Sequence, residues 1–398
     1  MTGSRLALPF LNLGHALDHF FMLIFPTAVL VLGPELGMPY EELLPLATIG
    51  FVALGVGTLP AGWLGDRWSR RGMMILFFVG IGAASILTGF ARSPFEIGCG
   101  LGLIGLFAAI YHPVGIPLVV ANATQVGRTL AVNGVFGNLG LAAAAVATGA
   151  LTEAAGWRAA FILPGAVSMA AGIAFALLVP PEAAGDGGRK AAAPMDAPRS
   201  LQVKVFAMVA IASVLGGFLF HAGTVALPKI FADRAAGLAS GITEVGGLVS
   251  IVFAVAALAQ LPVGWMLDRH PARWILAGLA GTQLTLLLLA VGATDWAMLA
   301  VAMPLLFAIF GEIPIGDWLI ARYTADRWRS RAYGVSYVFS MGVSVLIAPM
   351  VAWLYGASGG FATLFLVLAG CSGLMGIAAL LLLPSRRPAA VAATVAAA

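Results

Sequence analysis

Three side chains able to bind protons or metals stand close together near the start of the chain, His15, Asp18 and His19, within Gly14-His15-Ala16-Leu17-Asp18-His19-Phe20-Phe21. Two imidazoles and a carboxylate at this spacing can exchange a proton near neutral pH, offer counter-charge to a substrate, or ligate a cation. Tyr111, His112 and His221 add further polar rings, and Glu312 adds a second carboxylate. All stand inside oily runs, where a charged form costs about 2.5–3.5 kcal/mol at a bilayer centre. On a helix, Asn12, His15, His19, Met22 and Pro26 are spaced 3, 4, 3 and 4, so they form one stripe with Asp18 at its border. Ser213, Gly217, His221, Thr224 and Pro228 form a matching stripe.

The elements that carry these residues follow from composition. Of 398 residues, 61% are hydrophobic and only 10% charged, and the mean hydropathy is +1.00. That is a polytopic membrane protein. Apolar runs of bilayer length give twelve spans at about 6–32, 41–65, 72–91, 95–120, 129–152, 159–180, 204–228, 241–266, 273–292, 296–321, 330–355 and 360–383. Each is predicted to be a helix, since hydrocarbon offers backbone groups no other partner. The first run is too long and too polar for a signal peptide and is expected to be retained. With the N-terminus in the cytoplasm, seventeen basic residues fall on that side and four on the other. The positive-inside rule therefore puts both termini in the cytoplasm, the membrane expected being a bacterial inner (cell) membrane. The net charge of +4 is a product of this topology, so the composition calls for no nucleic acid. Cys99 and Cys371 both fall within spans, and no disulfide is predicted.

The chain repeats itself. Leu59–Arg67 reads LPAGWLGDR and Leu261–Arg269 reads LPVGWMLDR, and 268 − 66 gives a period of 202 residues. The same offset pairs His19 with His221, Pro26 with Pro228 and Glu42 with Glu244; one residue less pairs Pro113-Val114-Gly115 with Pro314-Ile315-Gly316. Six spans in each half give two bundles of the same orientation, related by an axis along the membrane normal. The predicted domains are an N-terminal bundle, 1–180, a linker, 181–203, rich in Pro, Gly and charge, and a C-terminal bundle, 204–398.

Two six-helix halves, with Gly62-Trp63-Leu64-Gly65-Asp66-Arg67-Trp68-Ser69-Arg70-Arg71 between spans 2 and 3 and a weaker copy between spans 8 and 9, resemble the major facilitator superfamily. Within it, the first span with its His and Asp before Phe25-Pro26, the Tyr111-His112-Pro113 of span 4 and the Phe136-Gly137-Asn138-Leu139-Gly140 of span 5 are similar to the fosmidomycin-resistance branch. The resemblance implies an all-α membrane protein with twelve transmembrane helices in two pseudo-symmetric six-helix bundles. It also implies that spans 1, 4, 7 and 10, which carry His15, Asp18, His19, Tyr111, His112, His221 and Glu312, look out on a central cavity. Independently of any family, Asp66 with Arg67, Arg70 and Arg71 offers one anion and several cations at a membrane surface, and Asp268-Arg269 repeats the pair. These are the candidate gating residues, whose contacts can be made in one conformation and broken in another.

The expected function is secondary active transport: proton-coupled export of a small organic molecule by alternating access, an antiporter. Asp18 with His15 or His19 is the first proton site, and Glu312 is a second candidate. No Lys or Arg stands deep in a span, so a neutral or cationic molecule, or a weak acid carried with a proton, is favoured over a bare polyanion. An importer of a small metabolite, symporter or uniporter, is one alternative. A metal-ion transporter is another, since His15 and His19 at i, i+4 with Asp18 and His221 could supply nitrogen and oxygen ligands. A third possibility is that the polar groups only bond helices together. No nucleophile–base constellation marks an enzyme, no cofactor is expected, and the chain is predicted to act as a monomer in the lipid bilayer with a small molecule and the proton as its partners. Gly100-Leu101-Gly102-Leu103-Ile104-Gly105 matches a dinucleotide fingerprint but lies in span 4 with no strand before it, so it is read as helix packing.

Overall fold

Long apolar segments interrupted by short polar turns fold into helices and little else. The structure, a computed structural model, describes residues 3–123, 126–180, 198–324 and 326–385. Among them there is no strand, and twelve helices are long and apolar enough to cross a membrane. They are α1 (Leu6–Leu36), α2 (Tyr40–Arg67), α3 (Arg70–Gly89), α4 (Pro94–Ala121), α5 (Arg128–Ala155) and α6 (Trp157–Leu178), then α7 (Arg199–Arg234), α8 (Ile242–Arg269), α9 (Ala272–Ala290), α10 (Asp295–Tyr323), α11 (Val338–Ser358) and α12 (Ala362–Leu382). The greater part of the linker read from the sequence, 181–197, lies outside the described residues, as do Arg189, Lys190, Arg386 and Arg387 and the side chains of Arg327, Arg329 and Arg331.

Local chemistry sets the helix ends. Ser69 caps α3 by accepting the Gly72 N–H at 2.9 Å. Before α4, Ser93 accepts the Glu96 N–H at 3.3 Å while Glu96 accepts the Arg92 N–H at 2.7 Å, a reciprocal cap that satisfies two orphan donors. Gly156, at φ 82°, turns the chain sharply between α5 and α6, where a side chain would be strained.

The repeated proline breaks one span in each half. In α4 the regular helix stops at Ala108, a wider π turn covers Tyr111–Gly115 and the helix resumes at Ile116–Ala121. Pro113 has no N–H to give and its ring crowds the preceding turn, so the chain widens to pass it. In α10 the helix stops at Phe310, and a new one, with proline in its first turn, starts at Ile313. His112 and Glu312 therefore stand on broken helix, where backbone regularity is already given up.

Packing divides the chain into two compact units. One gathers the first six spans with Val225–Ala254 and Ala348–Trp353; the other gathers α7 as far as Thr224, Val255–Ile347 and α12. Inside the first unit, Phe21, Phe25, Phe77, Phe78, Phe161 and Phe175 fill the core. Hydroxyl-to-carbonyl bonds tie α3 to α6: Ser85 donates to Phe161 O at 2.7 Å and Ser168 to Phe78 O at 2.8 Å. The Ser250 hydroxyl of α8 donates to Ala142 O of α5 and accepts the Val146 N–H at 3.2 Å, and Glu153 accepts the Thr243 N–H at 3.1 Å. Inside the second unit, Ser372 of α12 donates to Ala280 O of α9 at 2.8 Å. Leu59, Trp63, Leu177 and Leu381 stand out from the helices as an apolar surface suited to lipid tails.

Candidate functional site

In the first unit, the crossing of α1 and α5 decides where His15 goes. A Cβ on Gly140 would fall onto the backbone of Ala16, so only glycine lets the two helices come this close. One turn earlier, a Cβ on Gly137 would lie 2.7, 2.8 and 2.9 Å from Nε2, Cε1 and Cδ2 of His15. Near-equal distances to three ring atoms put that point over the face of the imidazole, clear of its in-plane lone pair. Tyr111 stacks nearby, with ring centroids 4.8 Å apart and planes 19° from parallel.

The tautomer of His15 follows from its partner. Nδ1 lies 2.8 Å from the backbone oxygen of Asn133, which can only accept, so Nδ1 carries the hydrogen. The Nε2 lone pair of the neutral ring then faces His19, whose Nε2 lies 3.2 Å away. His112 packs edge-on against both rings, with centroids at 5.3 Å from His15 and 5.6 Å from His19. Its Nε2 lies 3.4 Å from Oδ2 of Asp18. Oδ1 of Asp18 is buried with no hydrogen-bond partner, a state a carboxylate rarely keeps in a settled structure.

Asn133 holds the back of this cluster. Its side-chain amide donates to the Tyr111 hydroxyl at 2.9 Å and to Oδ1 of Asn12 at 3.0 Å, while Tyr111 donates to Leu11 O at 2.8 Å. Tyr111 is fully buried. Its ring is thus a wall of the cluster, with its hydroxyl turned away into α1 and α5.

In the second unit, Glu312 stands at the break of α10. Gln283 of α9, fully buried, donates its amide N–H to Oε1 of Glu312 at 2.7 Å, and Ser372 lies 3.0 Å from the Gln283 amide oxygen. His221 lies in the same unit one turn before Thr224, whose hydroxyl bonds back to the carbonyls of Phe220 and His221.

The repeat reaches into these sites. Since 216 − 14 gives 202 and 312 − 111 gives 201, Gly216 corresponds to Gly14 and Glu312 to Tyr111. A Cβ on Gly14 would lie 3.1 Å from the Tyr111 ring, and one on Gly216 would lie 3.3 Å from Oε2 of Glu312. Each bundle brings a glycine of its first helix against the residue two before the proline of its fourth.

Of the residues named from the sequence, His15, Asp18, His19, Tyr111 and His112 come together in the first unit, and Glu312 and His221 belong to the second. The three imidazoles and Asp18 are the side chains that could hold a cation. Among the candidate gating residues, Asp66 pairs with Arg70 at 2.9 Å on the surface. Arg71 donates to Val179 O at 2.6 Å and Ala176 O at 2.5 Å, closing the carbonyl end of α6. Arg67 lies over Trp63 and Arg269 over Trp265, the same cation–π contact in both copies; Asp268 immediately precedes Arg269 on the same helix. Sequence reasoning passed over Asn133, Gln283 and Ser372. The available signal was their polarity inside apolar spans.

Comparison with known proteins agrees with this architecture. The family model described as the Major Facilitator Superfamily matches residues 11–238 and again 214–397. A puromycin resistance protein of Streptomyces alboniger is 32% identical over 127 residues, which is 31% of this chain and 25% of that protein. The match thus spans about a quarter of the relative's length. Among solved structures, a bacterial homologue of the human lysosomal transporter Spinster, in an inward-facing and unoccupied conformation, superposes with a TM-score of 0.70 at 13% identity, covering 95% of this chain and 94% of that one.

Proposed function

Because the chain belongs to the major facilitator superfamily, we propose that it is a secondary active transporter that exports a small organic molecule by alternating access, driven by protons moving inward. The observation that carries the proton assignment is Glu312. It is a carboxyl group within a membrane span, at a helix break, bonded to the neutral amide of Gln283. Among the described residues no Lys or Arg forms an ion pair with it. Such a carboxyl takes up and releases a proton without breaking a salt bridge, and its donor has no exchangeable charge state of its own. One proton moving down about 100 mV releases roughly 2.3 kcal/mol, enough for a nearly fifty-fold gradient of a neutral cargo.

His15, Asp18, His19, Tyr111 and His112 in the first unit, and His221 in the second, are proposed to form the cargo sites of their units, with Tyr111 as a wall and Asp18 as the acidic group. This favours a cationic or neutral amphipathic cargo, and the name of the Streptomyces relative makes puromycin the first compound to try. Efflux is assigned with the basic loops on the cytoplasmic side of the inner membrane. Asp66, Arg67, Arg70, Arg71, Asp268 and Arg269 are proposed to act at the gate on that side.

Proteoliposomes with an imposed pH gradient test the reading. Wild-type protein is expected to accumulate cargo against its gradient and to move protons in the opposite sense. Glu312→Gln is expected to lose accumulation yet keep gradient-free exchange of labelled for unlabelled cargo. Undiminished proton-driven accumulation by Glu312→Gln overturns the coupling assignment. Accumulation only in right-side-out vesicles overturns the direction.

A further inference from the structure

We infer that the N-terminal cluster is a binding site for one divalent transition-metal ion of the Zn²⁺ class, with His15, His19 and His112 as nitrogen ligands and Asp18 as the balancing carboxylate. The inference concerns binding and does not rest on the proton-coupled reading.

Four observations converge on it. One ligand nitrogen from each of the three histidines lies within 4.8 Å of the other two. The pair His15 Nε2 and His19 Nε2 is 3.2 Å apart, close to the roughly 3.3 Å that separates two nitrogens bound tetrahedrally to one ion at about 2.0–2.1 Å. Binding therefore asks the third imidazole to swing inward by about an ångström or two, and His112, with its side chain 28% exposed, is less enclosed than His15.

The second observation is the outer hydrogen bond. A metal-bound imidazole keeps its other N–H on a carbonyl or carboxylate, which fixes ring and tautomer. His15 already donates Nδ1–H to Asn133 O, leaving Nε2 as a lone pair. Third, the ring is clamped. Tyr111 lies nearly parallel to it and Gly137 crosses close over a ring face, so its in-plane edge stays turned to its neighbours. Fourth, Asp18, with a side chain 4% exposed, sets Oδ2 3.4 Å from His112 Nε2 and keeps Oδ1 buried without a partner. Three neutral imidazoles leave a bound ion at +2; the buried carboxylate halves that charge without further rearrangement.

The sequence offered His221 as a further donor; within the first unit the third imidazole is His112, carried on the π turn at Pro113. The donor set contains nitrogen and one carboxylate, which selects Zn²⁺, Co²⁺ and Ni²⁺ over Mg²⁺ and Ca²⁺, whose shells are oxygen-rich.

The test uses full-length protein in detergent, with no histidine tag and stripped by chelator. Titration with Co²⁺ is expected to give one ion per chain with the intense visible bands of a low-coordinate nitrogen site, displaced by Zn²⁺ and untouched by millimolar Mg²⁺. His19→Ala and His112→Ala are each expected to weaken Co²⁺ binding at least about tenfold at unchanged elution on gel filtration. His270→Ala, the one histidine outside the membrane sites, is expected to bind as wild type. Absence of the Co²⁺ spectrum in wild-type protein, or its persistence in His112→Ala, overturns the inference. Flux of radioactive Zn²⁺ in proteoliposomes then separates two sources of the same chemistry, since uptake marks the ion as cargo and binding without flux marks it as a resident ligand of the chamber. Glu312→Gln keeps the Co²⁺ site whatever it does to proton-driven transport, so failure of either proposal is seen separately.

Discussion

A single methyl group on Gly137 tests whether the His15 ring is held as described. In Gly137→Ala the new Cβ would stand 2.7 Å from His15 Nε2. Reaching ordinary contact at about 3.5 Å takes a shift of roughly 0.8 Å. The ring cannot move freely, because Tyr111 stacks on it and is itself fully buried against Phe77, centroids 5.7 Å apart. Overpacking of this kind costs about 1–3 kcal/mol. Moving the ring also stretches the Nδ1–H bond to Asn133 from 2.8 Å to the edge of usefulness, a loss of about 1 kcal/mol. Against this, alanine gains about 0.5–1 kcal/mol over glycine within a helix. The net expectation is a loss of roughly 1–3 kcal/mol, read as a lower midpoint of thermal unfolding in detergent. Gly278→Ala, where the added Cβ meets nothing within 4 Å, serves as control and is expected to hold or raise the midpoint. The decisive measurement is the double variant. Once His15→Ala has removed the ring, Gly137→Ala is expected to become neutral or stabilising. An equal penalty in both backgrounds refutes the placement of His15 over Gly137.

Gly140→Ala is expected to be worse than Gly137→Ala and not rescued by His15→Ala, because its Cβ meets the Ala16 backbone, which has nowhere to rotate; the same unfolding assay checks it. Asn133→Leu keeps the backbone bond to His15 but removes the amide bonds to Tyr111 and Asn12, for an expected loss of about 1–2 kcal/mol by thermal unfolding. Arg71→Ala is expected to lower the unfolding midpoint more than Arg70→Ala, since Arg71 caps the carbonyl end of α6 whereas Arg70 makes an exposed ion pair. Asp66→Asn is expected to raise the population of the inward-open state by no more than a few-fold, the worth of an exposed pair at about 0–1 kcal/mol; unchanged labelling of cytoplasmic-side cysteine probes counts against it.

The twelve spans were legible in the sequence because one force, the cost of bare backbone in hydrocarbon, sets their length and leaves tertiary context little to alter. The superfamily was legible for a related reason, since the repeated WLGDR and WMLDR loops and the 202-residue period survive at the level of single residues. The site was legible only in part. A helical wheel finds His15 and His19 on one stripe, but says nothing of which helix that stripe faces. The structure supplies the neighbour: α4 loses its regular helix after Ala108 and widens across Tyr111–Gly115, and there the rings of Tyr111 and His112 meet His15. Asn133 and Gln283 were invisible for a different reason. An amide in an apolar span announces that it has a partner, but the partner lies on another helix, and pairing is decided by packing at Gly137, Gly140 and Ala280.

The pseudo-symmetric positions also explain how one duplicated backbone could serve two chemistries. The glycine at 14 and at 216 and the proline at 113 and at 314 keep the same close approach and the same broken helix in both halves. What differs is the side chain set into that slot. Tyr111 cannot give up charge to a cargo, so it walls and stacks, and the imidazoles beside it become the reactive groups. Glu312 fills the slot with a carboxyl, and the nearby α9 answers with an amide. Selection on the slot's shape is therefore separable from selection on its chemistry. Tyr111→Phe removes the hydroxyl bonds to Leu11 and Asn133 but leaves the stacked ring, so it is expected to cost stability while sparing the histidine cluster. Glu312→Gln keeps shape and hydrogen bond and removes only the proton, so it is expected to spare stability while costing coupling. The reverse pattern in either variant would mean that the two slots are not equivalent.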